Sequence, residues 1–150
     1  AMNDIIASVL TLAAIDATAN QTRIDTELAA GLPLVLADAV QIQQVCLNLI
    51  RNAIDAMLLL PEAARVMTIS TRLGDEGVEA QFSDCGPGVA QEMRERLFQP
   101  FQTTKSEGMG MGLSISHSII STHGGSLRYS DAPQGGACFT LILPVALGTT

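Results

Sequence analysis

The stretch DAVQIQQVCLNLIRNAIDAM, residues 38–57, carries the strongest helical pattern in the chain. Asp38 is a favourable N-cap residue, and apolar side chains recur behind it at helical spacing until Pro61 interrupts the pattern. The sequence therefore predicts a helix over residues 39–60, and this helix is the element around which the other segments are placed.

Polar side chains also recur on this helix. Asn48, Asn52 and Asp55 stand at i, i+4 and i+7, which places them on one face of an otherwise apolar helix. Two interpretations remain open from these residues. They form a solvated stripe at the edge of the core, or they form a binding face, since an asparagine carbonyl can be one of the oxygen ligands of Mg²⁺.

The flanking segments alternate helices with paired strands. Ile5, Val9, Leu12 and Ile15 share helical spacing and predict a first helix over residues 4–18. Alternating polarity and turn residues predict the other elements: strands at 22–28, 32–38, 65–73, 77–84, 126–130 and 138–144, a hairpin turn at Gly74 and Asp75, a short helical piece at 90–98, and a helix at 111–122. This order predicts an α+β, two-layer α/β sandwich, with a mixed sheet of about five strands and about three helices on one face.

Composition limits the classes of function. The 150 residues are 47% hydrophobic, which suits one domain with a substantial core. A formal net charge of −7 argues against nucleic-acid binding. Cys46, Cys85 and Cys138 form no C-x-x-C pair and suit reduced thiols. The apolar stretch 5–15 is short for a bilayer span and lacks the flanks of a secretory signal, so we expect a soluble domain.

Asp84 ends an apolar strand and is followed by Gly86 and Gly88. One interpretation is ordinary turn chemistry, in which aspartate and glycine favour a tight reversal. The other is recognition of a base, because a buried carboxylate can accept a hydrogen bond from an exocyclic amine such as that of adenine, and glycines let a flat ring approach.

A polar segment follows, with Phe98 and Phe101 around Pro100 and then Thr104 and Lys105, the only lysine in the sequence. The phenylalanines form either a small apolar cluster that pins the segment or the latch of a hinged lid. Lys105 is then a point charge available to a terminal phosphate.

Residues 106–116, SEGMGMGLSIS, set Gly108, Gly110 and Gly112 at alternate positions before a helical pattern. The spacing matches neither a dinucleotide fingerprint nor a P-loop. It is typical of a flexible loop with a helix cap, or of exposed backbone amides that meet an anion at a helix N-terminus.

The order of these features resembles the catalytic ATP-binding domain of bacterial two-component sensor histidine kinases, in the superfamily shared with gyrase, Hsp90 and MutL. NLIRNAIDAM is similar to the N box, DCGPGV to the first glycine box, LFQPFQTTK to the F box and GMGMGLSIS to the second glycine box. The last two boxes are most similar in wording to oxygen-sensing and nitrogen-regulation kinases. The resemblance implies a Bergerat ATP-binding fold over residues 4–145, with a boundary remnant at 1–3, a mobile ATP lid at about 89–108 and a tail at 146–150.

The resemblance also implies roles for particular residues, with ATP and Mg²⁺ as cofactors. Asn52 is implied as the Mg²⁺ ligand, Asn48 as a contact to phosphate or metal, Asp84 as the acceptor for the adenine amine, and Lys105 as the phosphate-facing cation. Asn48, Asn52 and Lys105 make up the implied catalytic set. The other implied ATP contacts are Asp55, Gly86, Gly88, Phe98, Thr104, Gly108, Met109, Gly110, Met111, Gly112, Leu113 and Thr140.

One substitution separates branches of this superfamily. Members that hydrolyse ATP carry a glutamate four residues before the metal-binding asparagine, and here that position is Asn48, which cannot take a proton near neutral pH. We therefore expect transfer of the γ-phosphoryl group to a histidine on a dimerisation and phosphoacceptor domain of the same protein. A response regulator receiver domain would accept it next.

Further expectations concern the two histidines, the location and assembly of the domain, and alternative functions. His117 and His123 lack the sequence context of a phosphoacceptor histidine. We expect a cytoplasmic, monomeric domain with no membrane or nucleic-acid contact. The alternative function is a nucleotide-responsive interaction switch without phosphoryl transfer. A dinucleotide dehydrogenase is disfavoured because the glycine run follows a polar segment instead of a first strand.

Overall fold

The computed structural model describes residues 2–35, 37–58, 60–61, 64–86, 107–132 and 135–145, and within these ranges it leaves out the side chains of Asp16 and residues 107–112. The described residues form three helices and five strands. The helices are α1 (Met2–Ala19), α2 (Ala39–Ala56) and α3 (Glu107–Thr122), and the strands are β1 (Arg23–Glu27), β2 (Val66–Gly74), β3 (Gly77–Ser83), β4 (Ser126–Asp131) and β5 (Ala137–Leu143).

The five strands form one mixed sheet in the order β1-β2-β3-β5-β4. β1 runs parallel to β2, and every other neighbouring pair is antiparallel. β2 and β3 form a hairpin in which Gly74 pairs with Gly77, so the turn lies at Asp75 and Glu76, one residue later than predicted. The mixed sheet with three helices on one face confirms the predicted two-layer fold.

The core lies between the sheet and the helices. Alternate residues of the central strands point toward the helices, and the pairs Ile69–Phe82 and Phe82–Phe139 continue this apolar surface across three strands. The largest fully buried side chains include members of both layers: Ile6, Ile42, Leu49, Ile50, Met57, Met67, Ile69, Phe82, Ile120, Leu141 and Leu143. Burial of this surface is the main force that holds the two layers together.

The buried face of α1 differs from the predicted one. Ile5 and Val9 are buried as expected, whereas Leu12 is 56% and Ile15 73% exposed. The buried stripe runs instead through Met2, Ile6, Val9, Ala13 and Ala17. Two small alanines occupy the second half of this stripe, and α1 packs against α2. By length and mean hydropathy (18 residues, 1.3) α1 could cross a membrane, and the buried stripe gives it a place in the core of this domain.

Two predictions between residues 32 and 60 are wrong, namely the strand at 32–38 and the C-terminal end of α2. The strand expected at 32–38 is reduced, among its described residues, to one isolated bridge between Val35 and Val145, because Pro33 cannot donate to a ladder. α2 ends at Ala56, four residues before the predicted end, and Met57 caps it with its backbone N–H on the Ile54 and Asp55 carbonyls. Met57 is fully buried, so its side chain anchors this end of the helix in the core.

The edge strand β1 carries its own ion pair. Nε and the Nη2 nitrogen of Arg23 each lie 3.0 Å from a carboxylate oxygen of Asp25. Both side chains are largely exposed and lie on the outermost strand, next to β2. The edge of the sheet that β1 forms is therefore charged.

Candidate functional site

α2 begins with a complete N-cap. The Asp38 carboxylate accepts hydrogen bonds from the backbone N–H groups of Val40 at 3.0 Å and Gln41 at 3.2 Å. This confirms the predicted cap. Along the helix that begins here, Asn48, Asn52 and Ala56 are four residues apart and therefore lie on one face. Each step along this face is about 6 Å.

The first of these positions touches α3. Nδ2 of Asn48 donates a hydrogen bond to Oγ of Ser116 at 3.3 Å, and Ser116 is fully buried. At the start of α2, the Asp38 backbone N–H donates to Nε2 of His123, just past the end of α3. The two contacts show that α2 and α3 run antiparallel. The next turn of α2, at Asn52, is therefore directed toward the N-terminal part of α3.

Asn52 is the unsatisfied member of this face. Its Nδ2 atom is buried and has no hydrogen-bond partner among the described residues. Leaving a buried amide donor unpaired costs about 1–3 kcal/mol. A buried donor of this kind requires an explanation, and a bound ligand that accepts from it is one.

The third position touches the turn after β3. A Cβ atom on Gly86 would lie 2.8 Å from the carbonyl oxygen of Ala56, so the turn can approach the end of α2 only with glycine there. The backbone N–H of Cys85 also donates to Sδ of Met57 at 3.4 Å. Gly86 was expected to leave room for a ring, and the structure adds a second reason for it, which is close packing against α2.

Asp84 is 3% exposed and held by two backbone donors. Its Oδ1 accepts from the N–H of Gly86 at 2.9 Å and from the N–H of Ala137 at 3.1 Å. A Cβ atom at Gly136 would overlap both the backbone oxygen and Oδ1 of Asp84. The carboxylate is therefore locked in orientation by the turn on one side and by the start of β5 on the other.

Some predicted site residues lie elsewhere. Thr140 pairs with Gln81 on the sheet face opposite the helices, whereas Asp84 has the same strand parity as the core residue Phe82. Leu113 is buried in the apolar core, and Asp55 is exposed on the surface of α2. The structure thus brings Asn48, Asn52, Asp84 and Gly86 together and separates Thr140 from them.

The remaining predicted contacts have no described side-chain geometry. Gly88, Phe98, Thr104 and Lys105, most of the lid expected at 89–108 and the helical piece at 90–98 lie outside the described residues. The backbone of Gly108, Met109, Gly110, Met111 and Gly112 belongs to α3, which begins at Glu107, four residues before the predicted start. The glycines are compatible with helix as well as turn, and the first N–H groups of any helix lack partners within the helix.

Two described ionisable groups with shifted pKa values are Cys46 on α2 and Arg72 on β2. Burial raises the pKa of the Cys46 thiol from 9.0 to about 12, so it stays protonated inside α2 as the apolar residue it was expected to be. The hydrogen bond that Arg72 donates to the Glu79 carboxylate raises the pKa of the exposed Arg72 guanidinium, on the hairpin of β2 and β3. Among the described residues, no group of three His, Cys, Asp or Glu side chains could hold a metal ion.

Four residues of the site were missed from the sequence: Met57, Ser116, Gly136 and Ala137. Ser116 left a signal, because it stands on the buried face of α3 between Leu113 and Ile120, and a polar residue in a core position requires a partner. Gly136 is the second glycine directly before an apolar strand, which is a weaker sign of close backbone approach.

The chain matches known proteins over most of its length. Residues 37–147 match the family model described as histidine kinase-, DNA gyrase B-, and HSP90-like ATPase. The chain is 37% identical over 144 residues to the C4-dicarboxylate transport sensor protein DctS of Rhodobacter capsulatus, which covers 96% of this chain and 22% of that protein. It is 48% identical over 116 residues to the sensor protein FixL of Bradyrhizobium diazoefficiens, covering 77% of this chain and 23% of that protein.

Solved structures agree with these matches. The catalytic domain of the histidine kinase ThkA superposes with a TM-score of 0.82 and 29% identity, covering 95% of this chain and 91% of that one. Full-length ShkA in complex with AMPPNP superposes with a TM-score of 0.83 and 27% identity, covering 100% of this chain and 31% of that one. The chain spans about a quarter of the length of the curated relatives it matches, 22% and 23% for the two above.

Proposed function

This chain belongs to the histidine kinase-, DNA gyrase B- and HSP90-like ATPase family, and on that premise we propose that it binds Mg-ATP and transfers the γ-phosphoryl group to a histidine of another domain. The observation that carries the proposal is the buried Nδ2 atom of Asn52, which has no hydrogen-bond partner in the part of the chain that the structure describes. It lies one helical turn from Asn48, which contacts α3, and one turn from Ala56, which contacts the Asp84–Gly86 turn.

Asp84 is the proposed adenine contact. Two backbone N–H groups hold Oδ1, so the carboxylate has a fixed direction in which to accept a hydrogen bond from the exocyclic amine. Gly86 and Gly88 follow it in the sequence, and their lack of side chains would leave space for a flat ring. The complex of full-length ShkA with AMPPNP supports a nucleotide as the ligand class.

The proposed phosphate end lies between α2 and α3. The Asn52 carbonyl would hold Mg²⁺, a hard oxygen ligand for a hard cation, while its orphaned Nδ2 and the Asn48 amide donate to phosphate oxygens. The first N–H groups of α3, which have no partner within the helix, and Lys105 would add positive potential. When bound, Mg²⁺ neutralises charge on the phosphates.

Transfer to a side chain is favoured over hydrolysis. Asn48 occupies the position from which a general base would activate water, and its amide donates to Ser116 and cannot accept a proton. Positioning and charge neutralisation supply most of the catalysis in phosphoryl transfer, and this geometry supplies both. The site therefore suits a nucleophile brought to it already activated.

The acceptor would come from outside this chain. Both ring nitrogens of His123 are engaged, Nδ1 with the Ile119 carbonyl and Nε2 with the Asp38 N–H, so this ring offers no free lone pair to a phosphoryl group. A dimerisation and phosphoacceptor domain of the same protein, followed by a receiver domain, would complete a two-component relay in the cytoplasm. Relatives several times longer than this chain are consistent with such additional domains.

Calorimetry on purified protein tests nucleotide binding. ATP is titrated with and without Mg²⁺ into the wild type, Asn52→Ala and the control Gln43→Ala, which removes an amide from the α1 side of the same helix. We expect Asn52→Ala to lose most of the Mg²⁺-dependent gain in affinity, about tenfold, with unchanged circular dichroism. Equal Mg²⁺ dependence in all three proteins would contradict the proposal.

A second experiment separates the kinase from the interaction switch. Radiolabelled ATP is added to this domain together with a purified dimerisation helix that carries an acceptor histidine. Acid-labile, base-stable label on the helix supports phosphoryl transfer. Tight ATP binding without any label supports the switch instead.

A further inference from the structure

At the end of α2 opposite the proposed nucleotide site, one imidazole ring joins two helices. His123 directly follows the last residue of α3, and its Nδ1 lies 2.7 Å from the carbonyl oxygen of Ile119. Its Nε2 accepts a hydrogen bond of 3.1 Å from the backbone N–H of Asp38, the N-cap residue of α2. These partners are 85 residues apart in the sequence, so the contact belongs to the tertiary structure.

The two contacts together determine the state of the ring. A carbonyl oxygen can only accept, so Nδ1 carries the hydrogen, and a backbone N–H can only donate, so Nε2 carries the lone pair. The ring is therefore neutral, in the Nδ1–H tautomer. A protonated ring has N–H groups at both nitrogens. Its Nε2–H would then face the Asp38 backbone N–H, which is also a donor.

Both sides of this contact are anchored to their helices. The backbone N–H of His123 bonds to the carbonyls of Ile119 and Ile120 at 3.2 and 3.1 Å, and Gly124, at φ 77°, then turns the chain away. On the other side, the Asp38 carboxylate is engaged by two amides of the first turn of α2. A displacement of the ring would therefore move a helix end and not only a loop.

We propose that His123 is a positioning residue for the nucleotide site, which holds α2 and α3 in register only while its ring is neutral. The inference rests on the proposed function, because its readout is ATP binding. α2 carries Asn48 and Asn52, and α3 carries the glycine run, so the relative position of these helices sets the width of the phosphate site. The ring lies about 21 Å along α2 from Asn52 and acts through the helix, without touching the nucleotide.

Acidification is the natural way to open this contact. The described residues that line the cavity beside the ring are Ala37, Asp38, Thr122 and His123, of which Asp38 and His123 are ionisable. The Asp38 carboxylate accepts from its two cap amides, and a proton added to the ring would place an N–H on Nε2, facing the Asp38 N–H. Because the binding-competent arrangement needs the neutral ring, ATP affinity falls as pH falls.

The test compares ATP affinity at about pH 7.5 and about pH 5.5, on either side of the usual imidazole range, in four proteins. These are the wild type, His123→Gln, His123→Ala and the control His117→Gln on the same helix. Glutamine can still accept from the Asp38 N–H but takes up no proton. Protonation of ATP itself affects all four proteins equally and cancels in their ratios.

We expect the wild type and His117→Gln to lose about threefold to tenfold more affinity on acidification than His123→Gln, the loss expected for one hydrogen bond. His123→Ala should bind ATP about threefold to tenfold more weakly already at the higher pH. ¹⁵N NMR should show the Nδ1–H tautomer at neutral pH. If His123→Ala fails to fold, the His123→Gln comparison still decides.

The outcomes separate the two claims. A wild type that binds no ATP at either pH would overturn the proposed function. A wild type that binds ATP with the same pH response as His123→Gln, or whose ring carries hydrogen on Nε2 at neutral pH, would overturn the positioning role alone.

Discussion

The two ends of α2 differ in whether their polar groups have hydrogen-bond partners among the described residues. At the start of the helix, the Asp38 carboxylate caps two amides and its N–H is bound by His123. Near the other end, Asn52 holds a buried amide donor with no partner among the described residues. Both regions lie at the contact between α2 and its neighbours, and both could have been satisfied within the chain.

Under the proposed function, the first end contributes to the stability of the fold and the second end contributes to ligand binding. A buried donor without a partner lowers stability, and a chain keeps it when a bound molecule uses it. The Asp38 cap should therefore respond to mutation mainly through the free energy of unfolding. The second end should respond mainly through nucleotide affinity, and mutations there can even stabilise the free protein.

The largest effect should come from Asp84→Asn. The Asn Oδ1 can still accept from the Gly86 and Ala137 amides, so the fold is kept, but the second atom becomes a donor facing the donor amine of adenine. We expect ATP affinity to fall about 100-fold in calorimetry, the cost of a lost hydrogen bond to a charged group. Asp25→Asn, on the edge strand, makes the same change of charge as a control. An Asp84→Asn protein with ATP affinity within threefold of the wild type would contradict the proposed contact between Asp84 and adenine.

Gly136→Ala should come next, and it should affect both stability and binding. The new Cβ would overlap the backbone oxygen and Oδ1 of Asp84, so β5 or the Asp84 turn must shift. Overpacking of this kind costs about 1–3 kcal/mol, which urea unfolding would measure. Unchanged stability together with unchanged ATP affinity would show that Asp84 is not held by the start of β5.

A pair of substitutions on α2 tests the comparison directly. Asp38→Ala removes the cap and should lower the free energy of unfolding by about 1 kcal/mol. Asn52→Leu replaces the unpaired amide by an apolar group of similar size and should raise the free energy of unfolding by about 1 kcal/mol while removing Mg²⁺-dependent ATP binding. Thermal and urea unfolding without nucleotide measure both. Shifts of the same sign would remove the distinction between the two ends.

The smallest effect at neutral pH should be that of Cys46, midway along α2. Burial raises the pKa of its thiol in the folded chain from 9.0 to about 12, so the unfolded chain releases the proton first as pH rises. Wild-type stability should stay constant below about pH 8 and then fall by at most about 1.4 kcal/mol per pH unit between 9 and 12. Cys46→Val should lack this component. Urea midpoints at about pH 7 and about pH 10.5 measure the difference.

Sequence reasoning succeeded where the determinants are local. The Asp38 cap, the hairpin of β2 and β3 and the polar face of Asn48 and Asn52 follow from spacing, and four ordered boxes identified the family. It failed where the answer depends on a distant partner. The Asn48–Ser116 bond joins residues 68 positions apart, and the face of Thr140 depends on how β5 pairs with β3.

The exposed side of α1 shows the same limit. Leu12 and Ile15 have helical spacing with Ile5, and only the position of α2 decides that the stripe through Ala13 and Ala17 is buried instead. The start of α3 was misplaced for a different reason, because glycine is compatible with a turn and with a helix, and local pattern alone does not choose between them.

The ion pair on β1 has a consequence for a domain of this kind within a longer protein. An open sheet edge is a template on which another chain can add a strand, and tethered copies of a domain meet one another at high local concentration. Arg23 and Asp25 place charge along that edge, so a foreign strand would have to bury it in order to add on. The charged pair thereby discourages strand addition at the β1 edge of the sheet, whose other edge is formed by β4.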